Sequence, residues 1–148
     1  MKEIARRRGV ALAALLAVAT ISLAGCRVPD GQPELIAAAA EDFDTESFQP
    51  VICDFGWSPQ GIFSDATWGH VYWYEGDVRE AARDRLVGLG YEVQDVYEGD
   101  TSGNVGLYAG EVAASVWYNA AAEFEWAGDA SCGEVPAAGL TSVTFETS

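Results

Sequence analysis

Residues 70–91 read HVYWYEGDVREAARDRLVGLGY and decide the fold. The stretch His70–Glu75 consists mainly of strand-forming residues, so we predict a β-strand there. A helix is predicted over Asp77–Leu89, because an acidic cap with glutamate three residues later forms a capping box and apolar residues recur on one face. Gly90 can adopt the left-handed conformation that ends such a helix.

Further strands are predicted on the C-terminal side of this helix. Tyr91–Tyr97 is the first, and Val105–Ala109 with Val112–Tyr118 forms either one bent strand or two. Phe124–Trp126 belongs to the last of them, whereas residues 51–69 are irregular or contain one short strand. The sequence therefore predicts an α+β fold, with one helix packed on a small antiparallel β-sheet in two layers.

The N-terminus has the layout of an export signal. Lys2 and three arginines precede an apolar segment that begins at Val10 and is followed by Leu23-Ala24-Gly25-Cys26. The sixteen residues from Val10 to Gly25 fall short of the ~20 that a transmembrane helix needs. An uncleaved anchor and a simple secreted form remain the alternatives.

The Leu23-Ala24-Gly25-Cys26 motif resembles the lipobox of bacterial lipoproteins. This resemblance implies that a diacylglycerol is added to Cys26, that the signal peptide is cut before it, and that palmitate or a similar acyl chain holds the protein on the extracytoplasmic face of the cell membrane. It covers only the first 26 residues and implies nothing about the domain that follows.

Three segments follow from these patterns. Residues 1–25 are the predicted signal peptide, residues 26–50 the lipidated N-terminus with an acidic tether, and residues 51–148 a single globular domain. Within this domain, residues 136–148 are expected to form a loose tail or one edge strand.

The chain is strongly acidic, with a formal net charge of −15. After a cut before Cys26, 22 acidic residues face four arginines and no lysine, which gives −18. Such a chain repels nucleic-acid phosphates and anionic lipid head groups, so neither is an expected partner. The plainest role of the charge is to keep the domain soluble.

Cys53 and Cys132 remain once Cys26 is assigned to lipidation. Two cysteines in an exported domain predict one disulfide bond, the alternative being two separate buried thiols. Neither cysteine lies in a C-x-x-C motif that would indicate redox chemistry.

The sequence offers little catalytic chemistry. His70 is the single histidine, and no serine lies in a G-x-S-x-G motif. Glu123 and Glu125 share one side of a predicted strand and are candidate paired carboxylates, although a solvated face is the plainer interpretation. The acidic run at residues 42–46 lacks the glycine and the glutamate of a calcium loop, so we expect neither a metal site nor a cofactor.

Aromatic residues are the strongest binding signal. We predict a partly exposed patch able to stack on sugars, peptides or a partner protein, with the hydrophobic core as the alternative role. Its candidate members are Trp57, Trp68, Tyr72, Trp73 and Tyr74.

The sequence therefore favours a lipid-anchored, non-enzymatic envelope protein that binds another envelope protein or a glycan. Two alternatives stay open: a small cell-surface hydrolase that uses paired carboxylates, and an accessory subunit of an envelope complex.

The lipobox hypothesis has a direct test. The substitution Cys26→Ser should abolish lipidation, because serine offers no thiol for acylation. We expect fatty-acid label to be lost in metabolic labelling and the protein to leave the membrane fraction. Equal labelling of the variant and the unaltered chain would contradict the lipoprotein hypothesis.

Overall fold

The computed structural model describes residues 32–59, 67–99, 101–121 and 132–147. In chain order, the elements in these ranges are α1 (Gln32–Phe43), α2 (Thr45–Phe48), β1 (Cys53–Trp57), β2 (Trp68–Glu75), α3 (Arg79–Gly88), β3 (Glu92–Glu98), β4 (Ser102–Ala109), β5 (Val112–Asn119) and β6 (Leu140–Thr147). The predicted signal segment and the lipobox lie outside the described residues. Within the described part, no helix is both long and apolar enough to cross a membrane.

The six strands form one antiparallel sheet with the order β1-β2-β6-β5-β4-β3. Helix α1 packs against β2, β5 and β6, and α3 packs against β4 and β5. The predicted α+β class with an antiparallel sheet is confirmed. Among the described elements, a second helix of ten or more residues, α1, lies beside the predicted helix α3 in the helical layer.

The C-terminal strand β6 is the centre of the sheet. It pairs with β2 on one side and β5 on the other, and every one of its residues except Glu146 is buried. The prediction that residues 136–148 form a loose tail or an edge strand is therefore wrong for β6. The segment was predicted to be a polar tail because it contains three threonines. Threonine is β-branched, however, and such residues suit a pleated, half-buried strand.

Residues 32–48 belong to the folded domain. Phe43 is fully buried and Ile36, Ala39 and Ala40 nearly so, all within the main hydrophobic core. The prediction of a solvated tether over residues 26–50 is therefore wrong for this part of the chain. The small alanines let α1 lie close to the sheet, and the apolar face that they form with Ile36 and Phe43 is covered by it.

Helix α3 matches its predicted position closely. It begins at Arg79, two residues later than expected, and its end is marked by Gly90 with φ = 95°. The Tyr91 N–H donates to the Leu86 carbonyl and the Gly90 N–H to the Val87 carbonyl. These two bonds form a Schellman motif, in which glycine takes the left-handed position.

The start of α3 is held by β6 rather than by the predicted capping box. The Val78 N–H donates to the Thr141 hydroxyl oxygen at 3.0 Å, and that hydroxyl donates to the Gly76 carbonyl at 2.6 Å. Asp77 accepts the Arg79 backbone N–H at 3.3 Å. A side chain of the central strand therefore fixes the turn that leads into the helix.

Arg85 connects α3 to the turn between α1 and α2. Its guanidinium lies 3.3 Å from the Asp44 carboxylate and over the rings of Phe43 and Phe48, at 5.4 and 5.8 Å from their centroids. The hydrogen bond from Ser47, with the nearby Arg85 charge, holds the pKa of Asp44 below its ordinary value. These contacts connect α3 to the end of α1 and to α2.

Most of the remaining strand predictions are confirmed, and one lies outside the described residues. Strand β3 lies within one residue of its predicted bounds, and residues 102–119 form two strands that turn at Gly110 rather than one bent strand. Residues 51–59 contain the single short strand β1. The strand predicted at Phe124–Trp126 lies outside the described residues.

Cys53 and Cys132 form the predicted disulfide bond. Their Cα atoms are 5.3 Å apart and their sequence separation is 79 residues. The bond ties the edge strand β1 to the segment that leads into β6.

Loss of this bond should destabilise the domain. Closing a loop of this length stabilises a protein by about 4 kcal/mol in the chain-entropy model. We expect the double variant Cys53→Ser, Cys132→Ser to melt well below the unaltered protein in calorimetry. Reduction of the unaltered protein should lower its melting temperature similarly, whereas the double variant should not respond to the reductant. An unchanged melting temperature would contradict the stabilising role of the bond.

A pair of substitutions tests whether α1 belongs to the core. Phe43→Ala removes a fully buried ring, so we expect a loss of roughly 3–5 kcal/mol in the free energy of unfolding. Leu35→Ala, in the same helix at a side chain 37% exposed, should cost much less. Urea denaturation measures both. Equal, small losses would show that α1 is the tether that the sequence predicted.

Candidate functional site

The sheet has two unlike faces. Residues paired directly across strands point to the same side, and successive residues of a strand alternate. On β2, Trp68, His70, Tyr72 and Tyr74 point to the side that carries the helices, which we call the helix face. On β1 and β2, the other side carries Cys53, Phe55, Trp57, Val71 and Trp73, and we call it the outer face.

The five predicted patch residues are therefore divided between the two faces. Tyr74 is fully buried on the helix face, where its hydroxyl donates to the Thr45 carbonyl at 3.4 Å. Burial raises the pKa of this hydroxyl. Tyr74 is a core residue, and its assignment to an accessible patch was wrong.

Trp68 and Tyr72 also belong to the helix face. Both are partly buried and pack against the main core. The Tyr72 ring stacks on His70 at 4.6 Å between centroids and meets Phe145 edge-on at 6.4 Å. Burial, with a smaller effect from Asp54, raises the pKa of the Tyr72 hydroxyl. Both residues extend the core, and Trp68 also lines, together with Trp57 and His70, a cavity of about 520 Å³ next to α1. Trp57 and Trp73 are the patch members on the outer face.

His70 pairs with an acidic residue of the neighbouring strand. Its Nε2 lies 2.7 Å from an Asp54 carboxylate oxygen, which links β2 to the edge strand β1. Within the described residues, no hydrogen bond joins His70 to a serine, threonine or cysteine. The pair therefore lacks the nucleophile that histidine-dependent acyl transfer requires.

A row of directly paired residues crosses five strands on the outer face. Trp73 on β2 pairs with Ser142 on β6, and Ser142 pairs with Trp117 on β5. The row continues through Asn104 on β4 to Tyr97 on β3. Since neighbouring strands are 4.7–4.9 Å apart, the Trp73 and Trp117 Cα atoms are about 10 Å apart with a serine between them.

A groove of about 300 Å³ runs between these aromatic side chains. Short side chains form its floor, and aromatic side chains rise from the strands on either side. The lining residues are Phe55, Trp57, Val71, Trp73, Ser115, Trp117, Asn119, Ser142, Thr144 and Glu146. We call this feature the outer-face groove, and its volume lies at the lower limit for ligand sites.

The Trp57 ring lies over a glycine of the neighbouring strand. A Cβ atom built at Gly69, its directly paired partner, would lie 2.1 Å from the indole ring. The ring therefore occupies the space above Gly69, and a larger residue there would displace it. An aromatic side chain that covers a cross-strand glycine in this way is fixed before any ligand arrives.

Trp117 is the site residue that sequence reasoning missed. It is 45% exposed, the largest side chain among the exposed hydrophobics of the described residues. The signal was present in β5, where Ala113, Ser115, Trp117 and Asn119 alternate with a more apolar set. An isolated tryptophan on the polar side of a strand indicates an exposed ring rather than a core residue.

A larger cleft lies between α3 and β3, with a volume of about 630 Å³. Its arginines are already engaged. Arg79 donates to the Asp77 carboxylate at 2.9 and 2.8 Å and lies over the Tyr118 ring, and Arg83 donates to Asp84 at 3.0 Å. The hydrogen bonds from Arg79 hold the pKa of Asp77 below its ordinary value. The cleft therefore lies at the start of α3, where the charged side chains are paired with one another.

The remaining candidates are the paired carboxylates and the acidic run at 42–46. Glu123 and Glu125 lie outside the described residues. In the acidic run at 42–46, Asp44 contacts Arg85 and Ser47. Within the described part of the chain, no group of three or more histidine, cysteine or acidic residues is placed to hold a metal ion.

Comparison with known proteins gives no family. The chain matches no protein-family model, and neither the curated proteins nor the solved structures include a significant match. The functional argument therefore depends on the geometry of this molecule.

Proposed function

We propose that this chain is a lipid-anchored extracytoplasmic envelope protein whose folded domain is a non-enzymatic binding module. The outer-face groove is its binding surface. The lipobox-like motif supports the location, and the groove supports the activity.

One observation carries the binding role: exposed and half-buried aromatic rings flank a floor of short side chains on the outer face. Among the described elements, both long helices pack on the opposite face. Tryptophan provides a large contact area at a small cost in conformational entropy, which is why it dominates binding hot spots.

The anchor and the charge fit this role. An anchored domain with a formal charge of −18 is repelled by anionic head groups, so it stands away from the membrane surface. The groove would then face other envelope components rather than lipid.

Site-specific photo-crosslinking tests the proposal. A benzophenone amino acid at position 117 places the reactive group on the groove, and the same amino acid at position 87 serves as the matched control. Val87 is 48% exposed on α3, on the other side of the sheet. In intact cells of the source bacterium, we expect several-fold more adduct from position 117, measured by mass shift of the purified protein.

Equal adduct formation at the two positions would contradict the proposal, as would the absence of adduct at position 117. Digestion of the adduct with protease or with glycosidases then identifies the class of component that was captured.

A further inference from the structure

The outer-face groove is long and narrow. Its lining extends along β5 from the Ser115 level to Asn119, while Glu146 lies level with Ala113 at the other end. The seven residues from Ala113 to Asn119 cover about 20 Å, and the Cα atoms of Trp73 and Trp117 are about 10 Å apart. A trough of these proportions suits a linear chain of rings better than a single compact molecule.

The floor of the groove is lined by hydroxyl groups. Ser115, Ser142 and Thr144 lie in its centre, where Ser142 and Thr144 are only 3% and 9% exposed, and the partly exposed Asn119 and Glu146 lie towards its ends. An apolar partner, such as the hydrophobic face of a helix, would bury these groups without hydrogen bonds. A polar group that is buried without a hydrogen bond destabilises a complex, so the floor disfavours that partner.

An extended peptide is also a poor fit. The backbone groups of β2, β6 and β5 are paired with neighbouring strands on both sides, so the centre of the sheet has no free edge for strand addition. The face therefore offers side chains alone: flat rings at the walls, and hydroxyl, amide and carboxylate groups below.

Charge excludes a further class of ligand. Glu146 lies in the groove, and the chain carries a net charge of −15 with no basic residue among those that line the groove. Acidic polymers would be repelled at the site and by the field of the whole protein. The ligand that fits is therefore not acidic.

We propose that the outer-face groove binds a neutral oligosaccharide. Sugar rings combine an apolar C–H face, which stacks on indole, with equatorial hydroxyls that can hydrogen-bond to the partly exposed Ser115, Asn119 and Glu146. This inference rests on the proposed binding function and names its ligand class. Trp57, fixed above Gly69, and Trp117, exposed on β5, are the two platforms.

Calorimetric titration of the full-length protein in detergent tests this ligand class. The neutral probes are cellohexaose, mannohexaose and chitohexaose, and the acidic probe is hexagalacturonate. We expect at least one neutral probe to bind and the acidic probe to bind more weakly or not at all. Trp117→Ala should weaken binding at least ten-fold, and Trp117→Phe should restore most of it because a ring is kept.

Tyr97→Ala is the matched control, because Tyr97 is a 65% exposed ring on the same face that does not line the groove. Its affinity should stay within two-fold of the unaltered protein, and thermal melting should show both alanine variants folded. Three results would overturn the inference: no neutral probe binds, hexagalacturonate binds most tightly, or Tyr97→Ala and Trp117→Ala lose affinity equally.

The two proposals can fail separately. If no neutral probe binds while position 117 crosslinks to an envelope protein in cells, the glycan inference fails and the binding function stands. If position 117 crosslinks to nothing and no probe binds, both fail.

Discussion

The pairing of β6 between β2 and β5 is the interaction on which the rest of the structure depends. Without this strand the sheet would fall into two parts, β1-β2 and β5-β4-β3. One side of β6 supplies Val143 and Phe145 to the core, and the other supplies the groove floor. Each β2–β6 pair joins residues at least 65 positions apart in the sequence. The central strand therefore gains its order from distant partners, since its own pattern is weak.

The elements that are specified by neighbouring residues in the sequence could be predicted. Helix α3 was found because a glycine C-cap and a spaced apolar stripe are properties of consecutive residues. The burial of helix α1 in the core and the central position of strand β6 were missed because both depend on what covers them. A run of alanines has no large apolar face of its own, and the Thr141 hydroxyl looks polar until the loop that it caps is in place. Such tertiary partners leave no local signal.

The candidate site was half predictable for the same reason. Alternation places Tyr72 and Tyr74 opposite Trp73, but only the position of the helices decides which side is buried. Sequence proximity then led to a single patch from residues that belong to two faces. Trp117, more than forty positions away, joins Trp73 across Ser142 through strand pairing alone. Which residues meet across a sheet depends on the register of the strands, and this register cannot be read from a single sequence.

The side chains of β6 indicate that the outer face is not simply a second hydrophobic core. Central strands covered on both faces carry large apolar side chains almost continuously. On its helix face β6 follows this rule with Val143 and Phe145, and its two threonine hydroxyls there are bonded to Gly76 and Gln32. On the outer face it has Leu140 at one end, Ser142 and Thr144 in the middle and Glu146 at the other end, and only Glu146 of these is not buried. The large rings stand on the neighbouring strands. Large side chains at the margins with small hydroxyls in the middle form a trough, and a trough with a polar floor is the shape of a binding surface.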